Sequence, residues 1–320
     1  MLRRNVLIFH QAALGDFVLT WPLAIALGRL YPQSRIKYVT ASSKGRLAER
    51  VLGVDSLDAE TGWPTLFSER PNPPEPVLRA LSGAHAIFDF GAGPNTLWSA
   101  NIAQLAPAAD LLHLPTKPPA DDADARHVVE HLMQSLAARP AVATAVEQIL
   151  RSVRDRGVAA RRTVGQAIVI HPGSGSPTKN WPLENFIEMA GRVKAMNRPV
   201  RFLVGEVERE CLMAEQIAQL STYGELIEPT DYVHLHASLI DAAVYVGNDS
   251  GPTHLAAMCG VPTVALLVRP NAKVWAPVGP RVSVLEGEAI AIDKVLARIN
   301  ALIATSDAAP DVKLADASDD

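Results

Sequence analysis

Short apolar runs alternate along this chain with longer segments whose apolar residues recur every three or four positions, and this alternation is the feature that most constrains the fold. A run that is apolar at consecutive positions suits a strand buried on both faces, and a 3.6-residue stripe suits a helix lying across it. The chain is therefore expected to be an α/β protein with mainly parallel sheets. In the first half, Val6–Phe9, Ile36–Thr40 and Ala86–Phe90 read as strands, and Phe17–Leu30 and Lys44–Leu52 as helices. The proline-rich stretch PTLFSERPNPPEPV between them reads as loop. Residues 124–156 read as helical and run into a basic patch, Arg151 to Arg162, where a domain boundary is expected. The alternation then restarts. Ala167–Ile170, Val200–Val204, Leu226–Ile227, Val244–Val246 and Thr263–Val268 read as strands. Leu183–Met196, Val207–Leu220, Val233–Ala242, Pro252–Met258 and Ala289–Ile303 read as helices.

A chain of 320 residues is long for a single core. The expected layout is a first domain over 1–160, a second over 161–287, a helix over 288–305 packing back on the first domain, and an acidic tail over 306–320. A net charge of −4 argues against nucleic-acid binding. Charge is uneven, however: residues 1–50 hold eight Lys or Arg against Asp16 and Glu49, so a basic first segment can face an anionic partner. The two cysteines, Cys211 and Cys259, imply no disulfide framework and fit a reducing compartment. Val6–Phe9 is too short for a signal-peptide core or a membrane span, so a cytoplasmic protein is expected, and a monomer.

Three strand-to-helix junctions carry chemistry, and such junctions are where ligands sit in open α/β sheets. The first is His10-Gln11-Ala12-Ala13-Leu14-Gly15-Asp16. Asp16 is a common type of helix N-cap and is equally a carboxylate able to act as a general base. The second runs from His171 to Pro182, HPGSGSPTKNWP. Its small residues expose backbone amides and hydroxyls, and Lys179 adds a positive charge before a helix, which suits a phosphate or diphosphate. It is neither a Walker A loop nor a GxGxxG fingerprint. The third is GNDSGPTHLAAMCGVP, Gly247 to Pro262. Pro252 fits a first helical turn, Ser250 or Gly251 can cap it, and its free amides attract an anion. Asp249 would repel a phosphate there, so it is expected to accept hydrogen bonds from a ribose or from the loop's own amides. His254, taken alone, reads as a core histidine. His234-x-His236 lacks metal-site spacing, and no GxSxG nucleophile elbow is present. The tryptophans are too scattered for a nucleic-acid stacking platform.

Together the segments LGDFVLTWPLAIAL, HPGSGSPTKNWPLENFIEMA and YVGNDSGPTHLAAMCGVPTVALL resemble the family 9 glycosyltransferases, the bacterial ADP-heptose:lipopolysaccharide heptosyltransferases. The resemblance spans most of residues 5–285. It implies the GT-B fold, two Rossmann-like domains facing across a cleft, with acceptor in the first and nucleotide-sugar in the second. It also implies an inverting, metal-independent transfer of a heptose from ADP-heptose to a lipopolysaccharide core acceptor. Asp16 matches the proposed general base and Lys179 the lysine that neutralises the diphosphate. Gly173, Ser174, Gly175, Ser176, Asp249, Ser250, Gly251 and His254 match donor-side positions, and Glu206 or Glu208 an acidic residue meeting the ribose. Gly15, Lys44 and Arg46 fall on the acceptor side. No cofactor is implied beyond the donor substrate. An anionic glycolipid partner, with peripheral contact at the inner membrane, follows from the same resemblance. Two departures stand out: His10-Gln11 replaces a basic residue and Ser/Thr, and Phe88-Asp89-Phe90-Gly91-Ala92-Gly93 replaces an Asp-Leu-Gln-Gly type of segment. Both lie on the acceptor side and leave the acceptor open. The alternatives are a nucleotide-sugar epimerase of similar architecture and a non-catalytic nucleotide-sugar-binding protein.

Overall fold

The computed structural model describes residues 4–118, 126–158, 165–269 and 272–307. The boundary expected at 160/161, and all but the first two residues of the acidic tail, lie outside the described residues. In the first half the chain runs β1 (Asn5–His10), α1 (Leu14–Leu19), α2 (Trp21–Leu30), β2 (Arg35–Thr40), α3 (Ser42–Leu52) and β3 (Asp55–Asp58). It continues through α4 (Glu75–Ser82), β4 (Ala84–Phe90), α5 (Leu97–Leu105), β5 (Asp110–His113), α6 (Val128–Ser135) and α7 (Pro140–Arg156). The second half runs β6 (Ile168–His171), α8 (Leu183–Ala195), β7 (Val200–Leu203), α9 (Glu206–Cys211), α10 (Ala214–Tyr223) and β8 (Glu225–Ile227). It ends with α11 (Tyr232–Ile240), β9 (Val244–Asn248), α12 (Gly251–Met258), β10 (Thr263–Leu267), α13 (Ala272–Trp275), β11 (Val282–Glu286) and α14 (Ile292–Asp307).

The strands form two sheets, ordered β3-β2-β1-β4-β5 and β11-β10-β9-β6-β7-β8, with every pairing parallel. The central strands β1, β6, β9 and β10 are buried at every position, as their unbroken apolar runs require. The two α/β units and their all-parallel sheets give the expected GT-B architecture. Strands β3, β5 and β11 were not expected. All three are sheet edges, half exposed, with carboxylates in or at the end of DSLD, DLLH and VSVLE, so no apolar run marks them.

Three expected helices are each divided. The 17–30 helix begins earlier, at Leu14, and breaks at Thr20, whose hydroxyl donates back to the Phe17 carbonyl at 2.7 Å and meets Tyr38 Oη at 2.9 Å. The 124–156 helix is α6 and α7, with Pro140 opening the second. The 207–220 helix is α9 and α10, parted at Leu212 and Met213. The last helix, α14, is corrected in its packing. Its buried face, Val295, Leu296 and Ile299, joins Phe186 and Val193 of α8 and the second sheet, and Arg192 donates to Asp293 at 2.6 Å. It therefore belongs to the second domain.

Helix α12 is gripped by the first domain at both ends. At its start, a Cβ on Gly251 would lie 2.8 Å from Leu14 Cβ, and one on Gly15 would lie 3.1 Å from His254 Cδ2. A side chain at Gly251 would force Leu14 away, and one at Gly15 would make the His254 ring give by a few tenths of an ångström. At its far end the Val158 amide donates to the Met258 carbonyl at 2.8 Å, and Gly157 packs on Gly260. A second bridge links α3 to α11, where Arg46 faces Asp231 at 3.5 Å.

Candidate active site

The second and third junctions are welded together by a residue the sequence reading passed over. Asn248, fully buried at the end of β9, donates through Nδ2 to the Pro172 carbonyl at 2.7 Å and accepts from the Trp181 amide at 2.8 Å. A short polar side chain in an otherwise apolar strand was the available signal. Ser174 is also spent inside the loop: it donates to Asn180 Oδ1 at 2.7 Å and accepts from the Ser176 amide at 3.2 Å. The loop is thus held rigid, with Gly175 and Ser176 at its outer turn and Lys179 at its end.

Lys179 donates to Asp249 Oδ2 at 2.7 Å, and His254 Nε2 lies 3.7 Å from Asp249 Oδ1. Burial works to raise the Asp249 carboxyl, but the His254 imidazole and Lys179 ammonium outweigh it and hold the carboxyl below its usual range. In the structure Asp249 thus pairs with a lysine, where the sequence suggested loop amides or a ribose. Ser250 sits at the N-cap of α12 without a side-chain capping bond and faces His171 Nδ1 at 3.4 Å.

Glu206 and Glu208 separate clearly. Both line the same cavity, but only Glu208 is buried. Its Oε2 accepts from the Gly205 amide at 2.7 Å and its Oε1 meets His171 Nε2 at 3.2 Å. Burial pushes the Glu208 carboxyl up, and the His171 and Gly205 contacts more than reverse that. An acidic residue at the third position of a helix reaches back to the amide before its first turn, and this G-x-x-E spacing was the readable signal for Glu208.

A cavity of about 490 Å³ joins these parts, lined by His171, Ser174, Gly175, Glu206, Glu208, Ser250 and Gly251 from the second domain. Its opposite wall is Ser43 and Arg46 of α3 from the first domain, with Asp231 and Tyr232 beside them. Arg46 therefore faces the expected nucleotide side. Lys44 is buried, and its ammonium donates to the Ala12 carbonyl at 2.6 Å, so it holds the β1–α1 loop. Asp16 lies in the first turn of α1, whose N-cap is Ala13, so it caps nothing. It is half-buried, and burial raises its pKa against the opposing pull of Lys117, His254 and Lys179. A carboxylate with a raised pKa is a better proton acceptor, and here it shares an electrostatic environment with groups of the facing domain.

The glycosyltransferase family 9 (heptosyltransferase) model matches residues 108–296, more than half of the chain. The chain belongs to this family. Its match includes the second and third junctions, whereas the first junction lies ahead of it. The lipopolysaccharide core heptosyltransferase OpsX of Haemophilus influenzae is 29% identical over 112 residues, covering 34% of this chain and 32% of OpsX. The chain thus aligns with about a third of the length of that curated relative. Among solved structures, the family 9 glycosyl transferase of Veillonella parvula superposes with a TM-score of 0.68 at 17% identity, over 95% of this chain and 98% of the other. The ADP-heptose lipopolysaccharide heptosyltransferase II of E. coli gives 0.68 at 18% identity, over 95% and 100%. At these identities the likeness is one of fold. Among the described residues, no helix is long and apolar enough to cross a membrane.

Proposed function

We propose that this family 9 member transfers a heptose from ADP-heptose to a lipopolysaccharide core acceptor with inversion at the anomeric carbon. The observation that carries the reading is the close approach of α1 to α12, which sets Gly15 against His254 and brings Asp16, the next residue, into the electrostatic field of the Lys179–Asp249 pair. The Asp16 carboxylate takes the proton of the acceptor hydroxyl. The freed oxygen attacks the anomeric carbon from the face opposite the diphosphate, and the breaking C–O bond leaves its electron pair on ADP. Lys179 exchanges Asp249 for the diphosphate, and the amides at Gly175, Ser176 and the start of α12 add preorganised positive potential. These groups supply the charge stabilisation, so no step passes through a metal ion. Glu208 accepts from the ribose hydroxyls at the cavity floor. ADP and heptose as donor parts rest on the family and on the names its members carry. The enzyme works at the cytoplasmic face of the inner membrane, in peripheral contact with its glycolipid.

The test is a panel of nucleotide-sugars offered with core-oligosaccharide lipid acceptors, following ADP release and product mass. Asp16→Ala is expected to lower transfer by about 10²–10⁴-fold, the usual contribution of a positioned base, while ADP still binds. Lys179→Ala weakens donor binding and slows transfer. Near-normal turnover in the Asp16 variant would remove the general-base assignment.

A further inference from the structure

At the carboxyl ends of β1, β2 and β4 the first domain holds a second cavity, of about 450 Å³. Its walls are aromatic. The Phe9 ring stands between Trp63 and Trp98, edge-on to both at centroid distances of 5.0 and 4.9 Å, and Phe67 lies 59% exposed among the lining residues. Both departures from the family pattern fall on it: His10 and Gln11 from one, Asp89 to Ala92 from the other. This cavity shares His10 and Phe90 with the smaller one that contains Asp16. Whatever fills it lies one wall away from the proposed base.

The polar groups of the cavity are few and carry no positive charge. Among the described lining residues there is neither lysine nor arginine. His10 is 1% exposed, and burial, aided by nearby Lys44, lowers its pKa to about 3, so the ring is neutral. Its Nδ1 is itself shielded from solvent. The Asp89 carboxylate is occupied, accepting from the Ala92 and Gly93 amides and pairing with His113 Nδ1 at 2.7 Å. Glu60 is exposed and adds a carboxylate to the lining. An acidic sugar entering here would meet a like charge and no cation among the described lining residues. An acyl chain would cover the Gln11 amide and the Glu60 carboxylate with apolar surface, which costs free energy. A neutral pyranose satisfies both demands. Its C–H face packs on the aromatic wall, and its hydroxyls reach Gln11 and Glu60.

We propose that this cavity is an acceptor subsite that holds an uncharged pyranose of the acceptor glycan and discriminates against acidic sugars. The inference rests on the glycosyl-transfer reading and narrows its acceptor. The test uses the full chain saturated with ADP and saturation-transfer NMR with two probes, methyl α-D-mannopyranoside and the methyl glycoside of N-acetylneuraminic acid. The neutral glycoside is expected to bind at least about fivefold more tightly, and the exposed change Phe67→Ala to weaken it by about two- to tenfold, the size of an aromatic contact. Glu60→Lys, also at an exposed position, should reverse the preference by admitting the acidic glycoside. If ADP binds and the neutral glycoside shows no advantage over the acidic one, the acceptor inference fails alone. If no ADP binds to the wild-type chain, the glycosyl-transfer reading fails with it.

Discussion

Gly173→Ala tests how the nucleotide cavity is built. A Cβ at this position would sit 1.7 Å from Glu208 Oε1 and 2.6 Å from its Cδ, so the carboxylate has to leave its place. It would lose the 2.7 Å bond from the Gly205 amide and the 3.2 Å contact with His171. Hydrogen bonds to a charged group contribute about 1.5–3 kcal/mol each. Replacing glycine by alanine returns up to about 1 kcal/mol through the unfolded chain. The net loss is therefore roughly 2–5 kcal/mol, which for a domain of this size lowers Tm by about 10 °C. Gly175 is the control: it lies two residues on, with nothing within 4 Å of a Cβ, so Gly175→Ala should melt like wild type. Thermal and urea unfolding without nucleotide report stability, and ADP titration reports the cavity. Wild-type melting of Gly173→Ala, or an equal loss in Gly175→Ala, would refute the anchoring of Glu208 described above.

Burial raises the Asp16 pKa, so transfer should fall as pH drops through a value above the ordinary carboxylate pKa of about 4, and the acid limb should vanish in Asp16→Asn. Asp249 has the opposite sign: its lowered pKa contributes stability that is present above the unfolded value and lost as pH falls through the folded one. Asp249→Asn should flatten the acid side of the stability–pH curve. Arg46→Ala removes a largely exposed ion pair and should change stability by less than about 1 kcal/mol. Asp231 also accepts from the His234 amide at 2.8 Å as a helix cap, so Asp231→Ala should cost about 1 kcal/mol more than Asp231→Asn in urea unfolding. Gly251→Ala should drive Leu14 from α12 and reduce transfer more than ADP binding, measured by paired kinetics and calorimetry.

The sequence made the layering legible because the central strands are apolar at every position and the junction loops carry Gly, Pro and Ser. The edge strands β3, β5 and β11 were hidden because they are half exposed and form no continuous apolar run. Thr20 and Pro140 interrupt helices whose apolar periodicity carries on across the break, so periodicity alone merged them. Among the site residues, Glu206 and Glu208 could not be told apart by type. The choice depends on which of two positions on a short helix turns toward Gly205. Trp63 and Trp98 looked scattered because thirty-five residues separate them, and only the return of the chain along β4 and α5 brings both against Phe9.

The double grip on α12 bears on how such chains can be recombined. A graft that exchanges donor halves between relatives near residue 160 would separate α12 from Leu14, Gly15, Gly157 and Val158, the groups that seat its two ends. Each of those contacts involves a glycine or a backbone amide, so there is little side-chain slack to absorb a mismatch. A working chimera would have to carry α1 and the stretch just after α7 along with the incoming half, making the inheritable unit for donor preference discontinuous along the chain.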